Sequence, residues 1–369
     1  MSPQNNFLCF QFPLWAIETN LVEGSDEFLG GTMKIWIYKW LLVSVTFWFF
    51  LSSGPKAHSQ NIQVNFGVTF RNARLVPLWI ADEEGFFKKQ GLDVKQVNIS
   101  GGTQGAQMMV SGGVDVSYDD PITCVVSTAG GVPVNVIVGG TPSLAYLIVG
   151  GPGVKSFADV KGKLVGSSGL GLSASRLALL VGLRRFGIDT DKGQATIVAA
   201  GQEPERIAGL STGAIAATVI SPEYRTKLEQ LGVNMLADLR TLNIPWETSS
   251  VITTAKNLQT KRDMLERVVR AILQSHAFIL NPANRARVVG LMTTQLALKS
   301  QQDAAAVYDD LIKFYVFKKP YPTRDGFANV ISEIAKQLPK AATIKYEDVV
   351  DNSLMETLDK SGFIDALYK

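Results

Sequence analysis

The chain has 369 residues, 46% of them hydrophobic and 19% charged, enough for one large or two medium domains with packed cores, which excludes a disordered chain. Its net charge is +3, from 36 Lys and Arg against 33 Asp and Glu, and no five like charges follow one another, so nothing in it is built for nucleic acid.

Residues 1–32 hold Glu18, Glu23, Asp26 and Glu27 but no Lys or Arg, the wrong charge for anything preceding the basic start of an export signal. They are therefore expected to be an upstream extension, with translation starting at Met33. Met33 to Lys39 is a short basic opening, and Trp40 to Leu51 is an uncharged apolar run, shorter than the roughly twenty residues a membrane span needs. Ser52-Ser53-Gly54-Pro55 breaks the run, and Ala57-His58-Ser59 places small residues where a signal peptidase reads. This predicts a signal peptide over 33–59, cleavage before Gln60 and a periplasmic protein, with retention as an N-terminal anchor as the alternative. No Cys follows the apolar run to carry a lipid.

Without the leader, Cys124 and His276 are the only Cys and His. One Cys forms no internal disulfide, and neither a Cys/His metal site nor a nucleophile–imidazole triad can be assembled from so few residues. No catalytic residue, metal or cofactor is expected. Cys124, in Ile122-Thr123-Cys124-Val125-Val126, reads as a small core residue, and His276 as a satisfied helical histidine.

From Asn61 on, strands and helices alternate, the pattern of an α/β fold with a largely parallel sheet. Strands are predicted at 62–70, 92–97, 114–118, 134–138, 144–149, 163–166, 196–199 and 215–220. Helices are predicted at 77–90, 104–111, 173–186 and 204–212, with another opened by Pro121. From Lys256 the chain reads as mostly helical. Ser111 to Pro121 aligns without a gap on Thr212 to Pro222: helix end, Gly, buried strand, then Pro. Lys88-Lys89-Gln90-Gly91-Leu92-Asp93 likewise matches Arg184-Arg185-Phe186-Gly187-Ile188-Asp189. Two copies of one unit imply two similar lobes: 60–141 as the first part of lobe 1, 142–248 as lobe 2, and 249–369 returning to lobe 1.

Parallel α/β lobes bind beyond the carboxyl ends of their strands, and two facing lobes form a cleft that closes by hinge motion. The loops in that position carry Arg71, Asn72 and Arg74; Gly102, Thr103 and Gln104; Asp119 and Asp120; and Ser167 to Ser175, with Ser168, Ser173 and Ser175; then Ser221 and Glu223. Glycine permits close backbone approach, while serine hydroxyls and free N–H groups at a helix start donate to carboxylate, sulfonate or phosphate. Arg71 is the first choice of countercharge, ahead of Arg74 and Arg176. Trp246, Tyr118 and Tyr146 are candidates to cover a flat or apolar part of a ligand. Gly169-x-Gly171 lacks the third Gly of a dinucleotide fingerprint.

Ala81 to Val94 (ADEEGFFKKQGLDV), Gly101-Gly102, Ser111 to Val116 (SGGVDV) and Asp159 to Gly166 (DVKGKLVG), with Arg206 to Gly213 and Ser249 to Thr254 in the same order, resemble the substrate-binding proteins of ABC importers for nitrate, sulfonates, taurine and thiamine-pyrimidine precursors. The resemblance implies a type II periplasmic-binding-protein fold, with Thr141-Pro142 and the region from Trp246 to Thr254 passing between the lobes. By position it implies ligand contacts at Asn72, Gly102, Asp119, Ser168, Ser173 and Ser221. It departs at Ala216, where the family pattern has an acid, and it lacks the cysteine cluster of the family's iron-dependent enzyme branch. The expected function is a monomeric receptor that catches a small anionic or zwitterionic organic solute for the membrane permease of an ABC importer. The alternative is an enzyme on the same fold acting on a small acid, with Asp119 or Glu223 as base.

Overall fold

The computed structural model describes residues 61–68, 71–99 and 102–369; the expected extension and leader lie outside them. Two five-stranded sheets and a two-stranded ribbon carry the architecture. In chain order the strands are β1 (Ile62–Val68), β2 (Leu92–Asn98), β3 (Val116–Asp119), β4 (Val134–Val138), β5 (Thr141–Ser143) and β6 (Leu147–Gly150), then β7 (Leu164–Ser167), β8 (Thr196–Ala199), β9 (Ala217–Ile220), β10 (Asn234–Asp238), β11 (Pro245–Thr248) and β12 (Ser250–Thr254). The first lobe's sheet runs β2-β1-β3-β12-β4 and the second's β10-β6-β9-β7-β8, while β5 and β11 pair as the ribbon.

Neither sheet is purely parallel. β12 lies antiparallel to both β3 and β4, and β6 antiparallel to both β9 and β10. In each lobe the reversed strand is the one that enters just after a ribbon strand, β6 after β5 and β12 after β11. A chain arriving through the hinge runs from the interlobe edge outward, opposite to strands whose carboxyl ends point at that edge. Periodicity gives strand position and not strand direction, which is why the sequence pattern suggested a more parallel sheet.

The repeat read from the sequence is physically present. β3 and β9, its two buried strands, are the central strands of their sheets. Ser117 Oγ donates to Gly67 O at 3.0 Å, and Thr218 Oγ1, its counterpart, donates to Gly166 O at 2.6 Å. A Cβ on Gly67 would meet Ile99 at 2.5 Å and Val114 at 3.1 Å; one on Gly166 would meet Ala200 at 2.9 Å and Ile215 at 2.5 Å, the corresponding residues. At the departure, Asp115 accepts from Asn65 N and pairs with Lys261, which joins β1 to the start of the helix Arg262–Leu280. Ala216 has only backbone bonds, to Leu164 and Gly151, so the second lobe lacks that brace.

Several boundaries shift for local reasons. The helix expected over 77–90 is two, Val76–Glu83 and Phe86–Lys89, because Gly85 takes a left-handed φ of 68° between them. The strand expected from Leu144 begins at Leu147, after a turn closed by Tyr146 N on Leu144 O. After Lys256 the chain is helical, as the long amphipathic pattern indicated; Arg262–Leu280 buries Leu265, Val268, Val269, Ile272 and Ile279 against the first lobe. Cys124 is buried in the helix Ile122–Ala129. His276 is buried with Nδ1 at 2.9 Å from Phe317 O.

The hinge is drawn tight around a buried carboxylate. Glu247 on β11 accepts from Gly140 N at 2.9 Å through one oxygen and from Thr323 N and Oγ1, at 3.1 and 3.2 Å, through the other. The next residue, Thr248, donates from Oγ1 to Ser143 O on β5. Trp246 is buried in this ribbon, its side chain packed in the core beside Phe327 and Val330.

Candidate functional site

Six parallel strands, β1, β2 and β3 from one lobe and β7, β8 and β9 from the other, aim their carboxyl ends at one cleft of about 1130 Å³. β1 delivers Asn72 and Arg74; β2 leads into the helix Gly102–Val110, which contributes Gln104 and Gln107; β3 ends at Asp119 with Asp120 next. From the second lobe β7 opens into Ser168 to Ser175, β8 into Gln202 and Glu203, and β9 into Ser221. Ala106, Val110, Ile122, Val126, Val132 and Leu172 give the cleft an apolar wall.

Each polar residue is held by its own loop. Asn72 is the N-cap of the short helix Ala73–Leu75, and its Oδ1 accepts from Arg74 N at 3.1 Å and from Arg74 Nε at 3.2 Å. The buried Arg74 guanidinium lies over the Tyr146 ring, 5.4 Å from its centroid. Burial opposes its charge, but Tyr146, Asp120 and Glu223 outweigh that and raise its pKa. Asp119 accepts from Asp120 N and from Thr123 Oγ1. Asp120 has a raised pKa, chiefly from burial, against the opposing influence of Arg74 and of Ser249 N, which donates to its Oδ1 at 3.1 Å. Since Ser249 sits in the hinge with a left-handed φ of 57°, the cleft floor is wired to the element that must bend.

On the other side the serines form a relay that ends on Ser173. Ser168 N donates to Ser175 Oγ at 3.0 Å, the hydroxyls of Ser168 and Ser175 are 2.8 Å apart, and Ser168 Oγ reaches Ser173 Oγ at 3.1 Å. Ser173 also caps the helix Ala174–Arg185 by accepting from Arg176 N. Arg206 is 2% exposed, donates to Gly201 O and Val219 O, and lies 3.8 Å from Glu203. Its Nε, also buried, has no acceptor among the described residues. Ser221 N donates to Glu203 at 2.6 Å.

Of the residues expected from sequence, Asn72, Asp119, Ser168, Ser173, Ser175 and Ser221 line this cleft. Arg71 does not: its exposed guanidinium lies over Trp79 and donates to Gln295 O and Oε1, away from the cleft. Arg74 stands in its place, because the turn Ala73–Leu75 swings the fourth residue of the loop inward rather than the first. Trp246 does not line it either; β11 buries the indole in the hinge. Gly102 starts the helix that borders the cleft, while the surroundings of Gly102 and of the Thr103 side chain lie outside what is described. Sequence reasoning passed over Gln202, Glu203 and Arg206. The repeat held the signal for the first two, since the register that matches Ile99 to Ala200 also matches Ser100 to Gly102 with Gly201 to Glu203. Arg206 gave none, a charged residue in a first helical turn being ordinarily solvated.

Residues 72–286 match the NMT1/THI5-like family model. The chain belongs to that family. Solved structures of similar shape are a protein of Bordetella bronchiseptica RB50 (19% identity, TM-score 0.68, covering 82% of this chain and 98% of that one) and the periplasmic nitrate-binding protein NrtA of Synechocystis PCC 6803 (14%, 0.66, 81% and 88%). The alkanesulfonate-binding protein SsuA of Xanthomonas axonopodis pv. citri, solved with MOPS, is a third (15%, 0.63, 80% and 100%). At such identities these likenesses establish the fold, two α/β lobes joined by a two-segment hinge as in periplasmic binding proteins. No curated protein matches the chain.

Proposed function

We propose that this NMT1/THI5-like protein is a periplasmic receptor, working as a monomer, that traps a small organic solute between its lobes and hands it to the permease of an ABC importer. The observation that carries the reading is the convergence of six strand ends from two lobes on one roomy cleft whose floor is hydrogen-bonded to the hinge. Solute touching both lobes favours the closed arrangement by its differential contacts, which is the whole of the mechanism. The family and its structural neighbours, nitrate- and alkanesulfonate-binding proteins, point the same way.

The enzyme reading finds less support. Glu223, one of its two proposed bases, is not among the residues lining the cleft; it accepts from Ala73 N at 3.4 Å and so links the lobes. Asp119, the other, lines the cleft with its carboxylate already accepting from Asp120 N and Thr123 Oγ1. The test is a thermal-shift screen of the purified protein against a library of small organic solutes, run beside Val126→Trp, which fills the cleft from its apolar wall. A bound solute at a thousandfold excess over Kd adds about 4 kcal/mol of stability. A shift present in the wild type and absent in Val126→Trp is expected; chemical conversion of any library member would favour the enzyme instead.

A further inference from the structure

The charge on the cleft is not that of an anion trap. Among the described lining residues there are three carboxylates, Asp119, Asp120 and Glu203, and two guanidiniums, Arg74 and Arg206. Both guanidiniums are engaged by the protein itself: Arg206 by two backbone carbonyls and the nearby Glu203, Arg74 by Asn72, with Asp120 and Glu223 supplying opposite charge. Thr69, Phe70, Ser100 and Gly101, next in sequence to the cleft loops, bring no charge. Two of the serine hydroxyls that would suit an oxyanion, those of Ser175 and Ser168, donate instead to a neighbouring serine.

The cavity has a second property. Its volume, about 1130 Å³, lies just above the range that holds drug-sized ligands, roughly 300–1,000 Å³, and is far more than a small inorganic anion requires. One wall, Ala106, Val110, Ile122, Val126 and Val132, is apolar and belongs wholly to the first lobe. A ligand matching both features has a hydrocarbon or aromatic body against that wall and a head that tolerates, or neutralises, surplus negative charge.

We infer that the solute class is an amphipathic cation or zwitterion, an amine or amidinium carried on an apolar body, with its positive head held among Glu203, Asp119 and Asp120. The inference rests on the receptor reading and replaces the anionic half of the sequence-based expectation. Partly buried like charges repel with little screening, so an anionic analogue of the same shape is rejected rather than merely ignored.

The experiment is ligand-observed saturation-transfer NMR and calorimetric titration of the purified protein with five probes of one size: benzylamine, benzamidine, benzyl alcohol, benzoate and benzenesulfonate. The two cations are expected to bind at least about tenfold tighter than the two anions, and Glu203→Gln to reduce that preference several-fold, with Asp119→Asn as a second variant should the first misfold. Benzoate or benzenesulfonate binding more tightly, with Val126→Trp abolishing it, would overturn the inference and leave the receptor reading standing. Cation binding that survives Val126→Trp lies outside the cleft and overturns the inference as well. Silence from all five probes would overturn both.

Discussion

Gly140→Ala is expected to be the most damaging single methyl that can be added to this protein. A Cβ at that position would stand 2.1 Å from Thr248 O and 2.2 Å from Ser249 O. Both are backbone atoms of the second hinge strand, so no side chain can turn aside, and the two crossing segments must separate. Separation also stretches the bond from Gly140 N to Glu247. The cost is expected at about 3 kcal/mol or more, a fall in Tm of roughly 5 °C or more for a body of this size. Gly153→Ala is the control, since a Cβ there meets nothing within 4 Å. Differential scanning calorimetry of both variants checks it: a Gly140→Ala Tm within 2 °C of the control's, a shift worth about 1 kcal/mol, would mean that the hinge strands are not held at this distance.

Glu247 and His276 are expected to leave opposing marks on stability against pH. Burial, offset by four donors, pushes Glu247 up to about 7 from an ordinary 4.5. A carboxyl that binds its proton more tightly when folded gives stability that is full below pH 4.5 and lost as pH rises through 7. Burial lowers His276 to about 4 from 6.5, against the bond to Phe317 O. The unfolded chain then takes up that proton first, so this stability is full above pH 6.5 and lost as pH falls through 4. Each amounts to about 3 kcal/mol at most, and in the shared window they nearly cancel.

Substitution separates the two. Glu247→Gln, neutral at every pH, should gain on the wild type as pH rises from 4.5 to 7, whereas His276→Gln should gain as pH falls from 6.5 to 4. Urea midpoints at pH 4.5, 5.5, 6.5 and 7.5 read both differences. Parallel profiles for the wild type and Glu247→Gln would show that the hinge carboxyl titrates as it does in water.

How much of this was legible in the sequence follows from what patterns encode. Alternation and helix punctuation placed eight of the twelve strands and missed β5, β10, β11 and β12, while the echo of Ser111 to Pro121 in Thr212 to Pro222 marked the two central strands of two sheets. Strand direction was not encoded, so the reversal of β6 and β12 required the hinge to be seen. Loops ending the parallel strands were readable as cleft loops, and six of ten chosen residues line the cleft. The choice within a loop was not readable: whether Arg71 or Arg74 points inward depends on one 3-10 turn. Trp246 was drawn to the site by its ring, yet the hinge needs a large apolar side chain as much as a ligand does. The charge balance of the cleft was the least visible property, because Asp120 follows β3 while Glu203 and Arg206 share the helix after β8, and they count together only after folding.

Whether one solute is gripped by both lobes at once is tested most directly by hydrogen–deuterium exchange on the protein with and without benzamidine, or the strongest library hit. Exchange is expected to slow together at Ala73 to Leu75 and at the start of the helix Ile122–Ala129 in the first lobe, at Ser168 to Arg176 and Glu203 to Arg206 in the second, and at Thr248 to Ser250 in the hinge. Saturating solute that slows amides of one lobe only, or none of these segments, would contradict it.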